Sequence, residues 1–405
     1  MESDFLGSIY EKLIPPEERK KLGQFYTPPQ IADLIIALTI KNKDSTILDP
    51  ACGSGTFLVE AYQRLRELGG ISKGMTGGLG ETYHKQILEQ IYGIDINQFP
   101  AHLSVINLAI QNPRAKIDKV NVIVSDFFNI KPKQSTLFGF RSMDTSGQET
   151  EVYALPSFDT VIANPPYIRQ ELLGKEEKER IKNTIETDYT KLSVGTNAKK
   201  TSNVVLDKQS DIYIYFFIHA LSMLNDNGML GFIASNKWLE VGYGEPFQEF
   251  LLTNCRIKYI IEFDRAIFPD AEVNTAIVIL QKARILDPSY ATKFVRFKRK
   301  IPLSDMVDII EKGEDSTENK DYRLNILRQN DLKIGKWNIH LRAPPVFQKI
   351  VKHSKVKRLG EIAKPVYGIK TGYNKYFIID KERAKDFKIE KKFLKPCLSS
   401  PRKEV

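Results

Sequence analysis

Asn164-Pro-Pro-Tyr167 closes an apolar run that reads Phe158-Asp-Thr-Val-Ile-Ala163. A strand ladder stops there, because proline has no N–H to donate. Pro165 and Pro166 fix φ, so the Asn164 amide and a proline carbonyl are held rigidly. An amide oxygen and a carbonyl oxygen make a pair of acceptors matched to one –NH2 group. Tyr167 adds a flat face for a planar ring. The chemistry of the stretch is a clamp on a planar amine. It draws on both amino hydrogens as the nitrogen becomes tetrahedral, which makes a weak nucleophile competent. No titratable base is required, and no histidine or glutamate stands beside the motif. The plain alternative is a loop that only terminates a sheet.

Three further clusters carry chemistry. Asp49-Pro-Ala51-Cys-Gly53-Ser-Gly55 follows the apolar run Thr46-Ile-Leu48. Gly53 and Gly55 let backbone approach a ligand with no Cβ between, and a helix starting at Thr56 aims its N–H groups at the same spot. The third glycine of a dinucleotide loop is missing, and no Lys-Ser/Thr follows to hold a triphosphate. A nucleoside without phosphates fits better. Asp95 ends the next apolar run and is placed to accept from two ribose hydroxyls. Asp126 would accept from an adenine amino group, with Phe127 packed on the ring. Singly, each has a plain reading as a tight turn or a helix cap. Four in order are harder to dismiss.

The elements that must position them alternate. Strands at 45–49, 91–96, 120–128 and 158–167 are separated by amphipathic stretches, and a helix–turn–strand run and two more strands follow to 282. Such alternation predicts an α/β fold with a mainly parallel sheet, whose ligands bind outside the carboxyl ends of the strands. All four clusters fall at those ends. Residues 69–80 read as a glycine-rich loop and 131–151 as an exposed loop. Residues 171–208 show no apolar period and read as either a solvated insertion or a DNA-contacting loop.

The bulk numbers bound the class. The 405 residues suffice for two or three domains, and 42% hydrophobic with 27% charged residues is ordinary for a soluble protein. No apolar run approaches the roughly 20 residues that span a bilayer. Cys52, Cys255 and Cys397 are too widely spaced for a disulfide framework or a zinc site, so the setting is read as cytoplasmic, without metal or membrane. The formal charge of +10 suits an anionic partner. Two basic runs, 293–300 and 349–358, suit phosphate contacts.

Together these residues resemble the gamma arrangement of S-adenosylmethionine-dependent DNA adenine-N6 methyltransferases from restriction–modification systems. GQFYTPPQIADLI resembles the family's N-terminal cofactor motif, in which Gln24, Tyr26 and Thr27 meet the methionine end. LDPACGSGTFL, YGIDIN and SDFF resemble its cofactor loop, ribose acid and adenine contact, and NPPY its catalytic tetrapeptide. The resemblance implies a Rossmann-like fold over 1–283, a basic linker over 284–345, and a partial recognition region over 346–405. That region resembles the start of a truncated target-recognition domain, in which 366–379 would form the first strands and turn. It implies transfer of a methyl group from S-adenosyl-L-methionine to N6 of a flipped adenine in double-stranded DNA. Asn164 and the Pro165 carbonyl hold the amine, and Tyr167 and Tyr243 stack on the base. A specificity subunit or cognate restriction endonuclease would sit on a separate chain, since no nuclease pattern is visible. A methylase acting on RNA or protein glutamine, and an inactive remnant that binds DNA or a partner, remain open.

Overall fold

The computed structural model describes residues 27–71, 78–117, 119–130, 140–143, 149–152, 155–167, 173–192, 211–240, 242–264, 274–283, 287, 289–344 and most of 346–396. The chain divides into two compact units, residues 1–347 and 348–405.

In chain order the first unit runs α1 (Pro29–Thr39), β1 (Ile47–Asp49), α2 (Thr56–Leu68), α3 (Gly78–Gln90), β2 (Ile91–Asp95), α4 (Gln98–Ala109), β3 (Asn121–Val124), β4 (Phe140–Met143), β5 (Glu149–Val152) and β6 (Phe158–Ala163). It continues with α5 (Lys175–Leu192), α6 (Ile212–Met223), β7 (Leu224–Ser235), α7 (Glu245–Asn254), β8 (Cys255–Phe263), β9 (Thr275–Lys282), β10 (Ala291–Phe297), α8 (Leu303–Lys312), β11 (Thr317–Glu318), β12 (Tyr322–Arg328) and α9 (Asn338–Arg342).

All twelve strands among the described residues join one sheet in the order β11-β12-β10-β8-β9-β7-β6-β1-β2-β3-β4-β5. Its centre, β3-β2-β1-β6-β7, is parallel. The chain leaves β1 for β2 on one side and returns to β6 on the other, which makes the β1/β6 boundary a topological switch point. β9 runs antiparallel between β7 and β8, and antiparallel strands extend both edges. This is the α/β fold that the alternating pattern predicts, in the Rossmann-like form that the family resemblance implies.

Alternate residues of the central strands serve two cores. Leu48, Ile94, Val161 and Phe232 face one, with α6 and α7, while Ile47, Val122, Ile162 and Ile233 face the other, with α1, α2 and α4. A strand covered on both faces reads as a continuous apolar run, which is why β6 and β7 do. α6 is apolar on every side because it lies between sheet and α5, and all of its residues but Ser222 are buried.

Five expectations for the first unit change. The supposed linker 284–345 supplies β10, β11 and β12 to the same sheet, with α8 and α9 on its faces. Its basic run is not a free phosphate-binding patch. Lys293 donates to the Ile310 and Glu311 carbonyls, Arg296 pairs with Asp264, Lys298 with Glu318 and Arg299 with Asp321. Phe294 and Phe297 are buried on opposite faces of β10, and the cations around them meet carbonyls and carboxylates of the same unit. In the run 349–358, Lys355 and Lys357 are exposed. The loop expected over 69–80 is shortened by α3, which starts at Gly78. The exposed loop expected over 131–151 holds most of the β4–β5 hairpin. Finally, 171–208 contains the eighteen-residue α5.

In the second unit, where 366–379 was expected to form strands, Asn374–Phe377 is a helical turn, and 365–371 lie outside the described residues. A helix over Lys381–Asp386 is capped by the Asp380 carboxylate, which accepts from Arg383 N at 2.8 Å.

Candidate active site

Four strands of the parallel centre each deliver a functional group to the same edge. β1 ends at Asp49, β2 at Asp95, β3 just before Ser125-Asp126, and β6 just before Asn164. Asp49 pairs in register with Gly93, and Asp95 with Val124.

The loop after β1 is tied down from three sides. Cys52 N donates to the Ile94 carbonyl at 2.9 Å, Ser104 Oγ on α4 donates to the Gly53 carbonyl at 2.7 Å, and Asn107 Nδ2 donates to the Ser54 carbonyl at 2.9 Å. Gly53 has φ +53° with open space where a Cβ would stand. Gly55 has φ +96°, and a Cβ there would lie 2.9 Å from Ser104 Oγ and 3.1 Å from its Cα. The first glycine thus faces an open cradle, and the second lets α4 pack against the loop.

Two carboxyls share this loop. Asp95 Oδ2 accepts from Gly53 N at 2.9 Å and Oδ1 accepts from Asn97 N at 2.8 Å. Burial raises its pKa, against those two N–H groups. Asp49 Oδ1 accepts from Ala51 N at 3.0 Å. Burial pushes Asp49 up to about 8, with a further rise from the nearby Asp95 charge. A cation bound here would lower that pKa, because an opposite charge favours the ionised carboxylate.

The expected cofactor contacts divide. Asp126 accepts from Phe128 N at 3.0 Å, capping a short turn, and its other oxygen is paired with Arg180 of α5. The Phe127 ring is only 2% exposed and packs on Phe128, Phe216 and His219. Ile96, which sequence reasoning missed, is 65% exposed directly after Asp95. The sequence pattern places it inside the strand over 91–96, whereas the structure ends that strand at Asp95 and leaves Ile96 beyond it. Gln24 and Tyr26 lie outside the described residues, and Thr27 is buried beside Asn164.

The tetrapeptide is held from both ends of its amide. Asn164 Nδ2 donates to Thr27 Oγ1 at 3.1 Å, and the Tyr167 hydroxyl donates to Asn164 Oδ1 at 2.8 Å. These partners fix which way the amide points. The same hydroxyl lies 3.3 Å from the Ile233 carbonyl, and burial raises its pKa, so it stays a neutral donor. The Tyr167 ring meets Tyr213 edge-on at 6.3 Å. Pro165 is buried and Pro166 partly exposed. Thr27→Val removes the Asn164 acceptor without changing volume much. We expect turnover to fall about fivefold, as one hydrogen bond of about 1 kcal/mol predicts; steady-state kinetics beside a thermal melt checks it.

Downstream of β7, Asn236 and Trp238 are buried in the turn that leaves the same edge. Tyr243 sits on a short 3-10 turn, Gly242–Gly244, and its side chain is outside the described residues. Gly244 backs that turn so closely that a Cβ would lie 2.0 Å from the Trp238 carbonyl oxygen.

The chain matches the N-6 DNA Methylase family over residues 1–376. It is 24% identical over 398 residues to the type II methyltransferase M.AccI of Acinetobacter calcoaceticus, covering 96% of this chain and 59% of that one. It is 24% identical over 371 residues to the type I restriction enzyme MpnII methylase subunit of Mycoplasma pneumoniae, covering 87% and 60%. Its structure is similar to a type I restriction-modification methyltransferase subunit from Streptococcus thermophilus, with a TM-score of 0.54 at 18% identity over 84% of this chain and 64% of that one. The chain spans about 60% of the length of these two sequence relatives.

Proposed function

Because the chain belongs to the N-6 DNA Methylase family, we propose that it transfers a methyl group to N6 of adenine in double-stranded DNA, as the modification component of a restriction–modification system. The observation that carries this reading is the Asn164 amide. It is locked between Thr27 and Tyr167 at the switch point, with the open Gly53 cradle at the end of the adjoining strand.

The residues fit S-adenosyl-L-methionine. Asp95 takes the ribose hydroxyls, Asp126 the adenine amino group, and the Gly53–Gly55 backbone the closest approach. Exposed Ile96 offers the adenine ring a face, and Phe127 supports Asp126 from behind. Asp49 and Ala51 line the cradle, and Gln24, Tyr26 and Thr27 meet the methionine end. When bound, this cofactor supplies an electrophilic methyl group.

The chain's own residues do the rest. Adenine must leave the duplex, at a cost of a few kcal/mol. Tyr167 and Tyr243 offer it stacking surface. Asn164 Oδ1 and the Pro165 carbonyl accept the two amino hydrogens and turn the nitrogen lone pair toward the cradle. The Tyr167 hydroxyl, which donates to Asn164 Oδ1 in this structure, yields to the amine and keeps the Ile233 carbonyl as its partner. Positioning, rather than proton transfer, supplies most of the rate. A specificity subunit or a cognate endonuclease on another chain is the partner this reading calls for. The second unit exposes Leu359, Ile362, Tyr376, Phe377 and Phe393, surface for such contacts.

The direct test is incubation with labelled S-adenosylmethionine and unmethylated duplex DNA, followed by digestion to nucleosides. Label in N6-methyladenine supports the reading. Label only in RNA or in protein glutamine, offered in parallel, would replace it.

Asp49 gives this reading a pH signature. Its folded pKa near 8 lies above the usual carboxylate value, so the protein without cofactor holds a proton there at neutral pH. A bound sulfonium cation lowers that pKa and expels the proton. Affinity therefore rises with pH below about 8. We expect S-adenosylmethionine to bind several-fold tighter at pH 7.5 than at pH 6, with proton release seen by calorimetry in two buffers. Asp49→Asn flattens the dependence; a slope that survives in the variant assigns the proton elsewhere.

A further inference from the structure

Three side chains of α5 converge on one short segment of the site. Arg180, Thr184 and Asp188 stand at i, i+4 and i+8, a single stripe of the helix. Arg180 donates through Nη2 to Asp126 Oδ2 and through Nη1 to Asn129 Oδ1. Thr184 Oγ1 donates to the Phe128 carbonyl at 3.3 Å. The Asp188 carboxylate holds His219 Nδ1 at 2.5 Å, and His219 Nε2 reaches the Phe127 carbonyl at 3.1 Å. Every residue from 126 to 129 is thus fastened to α5, directly or through one buried imidazole.

We propose that Arg180 is a positioning residue for the adenine end of the cofactor, acting through Asp126. The inference rests on the assignment of Asp126 to the adenine amino group. A carboxylate turns freely about its last torsion, where the preference is broad. Here both oxygens are pinned. Oδ1 takes Phe128 N, and Oδ2 takes the guanidinium. Each oxygen keeps a second acceptor position, so the pinned group still receives an amino hydrogen. The fork of the arginine matters, because one planar group engages Asp126 and Asn129 together. The Arg180 side chain is 38% exposed, so the pair adds little to stability. Its effect on ligand choice is therefore separable from folding.

The experiment compares S-adenosylhomocysteine with S-inosylhomocysteine, in which a 6-oxo group replaces the 6-amino group. Dissociation constants are measured by calorimetry on the full chain for wild type, Arg180→Ala and Arg180→Lys, with melting curves alongside. The wild type is expected to prefer the adenosyl ligand by roughly tenfold or more, the value of one hydrogen bond to a charged group. Arg180→Ala loses most of that preference, while inosyl affinity and melting temperature hold. Arg180→Lys keeps the pairing with Asp126 but not the fork, and recovers part of it. Equal weakening of both ligands in Arg180→Ala makes the residue merely structural and overturns the inference. A preference that survives the alanine variant overturns it alone. A wild type that binds both ligands equally removes the Asp126 assignment, and the inference with it.

Discussion

Asn164→Ala leaves a protein that binds cofactor as the wild type does and transfers methyl groups slower by roughly three orders of magnitude, the scale of losing one aligned polar group at a reacting centre. The partners of the amide separate the two effects. Its nitrogen is committed to Thr27 and its oxygen to the Tyr167 hydroxyl. Thr27, proposed to meet the methionine end, is the one partner shared with the cofactor site; the Asp49–Gly55 loop and Asp95 are untouched, so removing the amide leaves most of that site intact. What disappears is the acceptor proposed to orient an incoming amino group. Near-attack geometry is where most of this reaction's rate resides, because a neutral exocyclic amine is a poor nucleophile until its lone pair is aimed. Asn164→Asp separates orientation from acceptance. It keeps an acceptor oxygen but cannot donate to Thr27, so its loss falls between wild type and alanine. Single-turnover transfer, measured beside cofactor titration, distinguishes these cases. An alanine variant that loses cofactor binding in proportion to rate would falsify the division of labour between the two loops.

The strand-end clusters were legible because each lies where a chain reaches the same sheet edge, and four apolar runs in succession fix that edge. Asp49, Asp95 and Asp126 follow one another on neighbouring strand ends, and the switch point then brings Asn164 of β6 back beside Asp49. What escaped had a common physical cause, in that polar residues were doing buried work. The stripe of α5 reads Ile181, Ile185 and Asp188, all buried, but the aspartate in the apolar face hides the period. Only the fold supplies His219, from a helix that follows a long polar stretch, to receive it. Residues 293–300 misled in the opposite sense. Their charge count suggested a surface for phosphates, yet Arg296, Lys298 and Arg299 each meet a carboxylate from a distant part of the chain. Net charge over a run says nothing of partners brought in by tertiary structure. Phe127 shows the same limit at one residue. Its motif position points to a ligand, while its ring is spent on the core and Ile96 keeps an open face.

Gly53→Ala and Gly55→Ala, two residues apart in one loop, should fail in opposite ways. At Gly53 the backbone is left-handed, φ +53°, and nothing stands within 4 Å of where an added methyl would lie. An alanine there costs the left-handed penalty of about 1–2 kcal/mol and no clash. The protein folds with a slightly lowered melting temperature. The methyl, however, projects into the open cradle proposed for the cofactor. S-adenosylmethionine affinity should drop by roughly a hundredfold, the scale of overpacking in a fitted site of about 1–3 kcal/mol. At Gly55 the order reverses. Its φ of +96° is harder for alanine, and the methyl strikes Ser104, including its Cα at 3.1 Å. That backbone belongs to α4, which also holds the loop through the Gly53 carbonyl and, by Asn107, the Ser54 carbonyl. Relieving the contact means moving a helix packed in the core, so the loss appears as stability, about 2–4 kcal/mol when strain and clash combine. Chemical denaturation and cofactor titration on both variants resolve the two modes. If Gly53→Ala binds cofactor normally, the open space beside it is not the cradle, and the ligand must approach the loop from the Gly55 side, where the structure leaves no room.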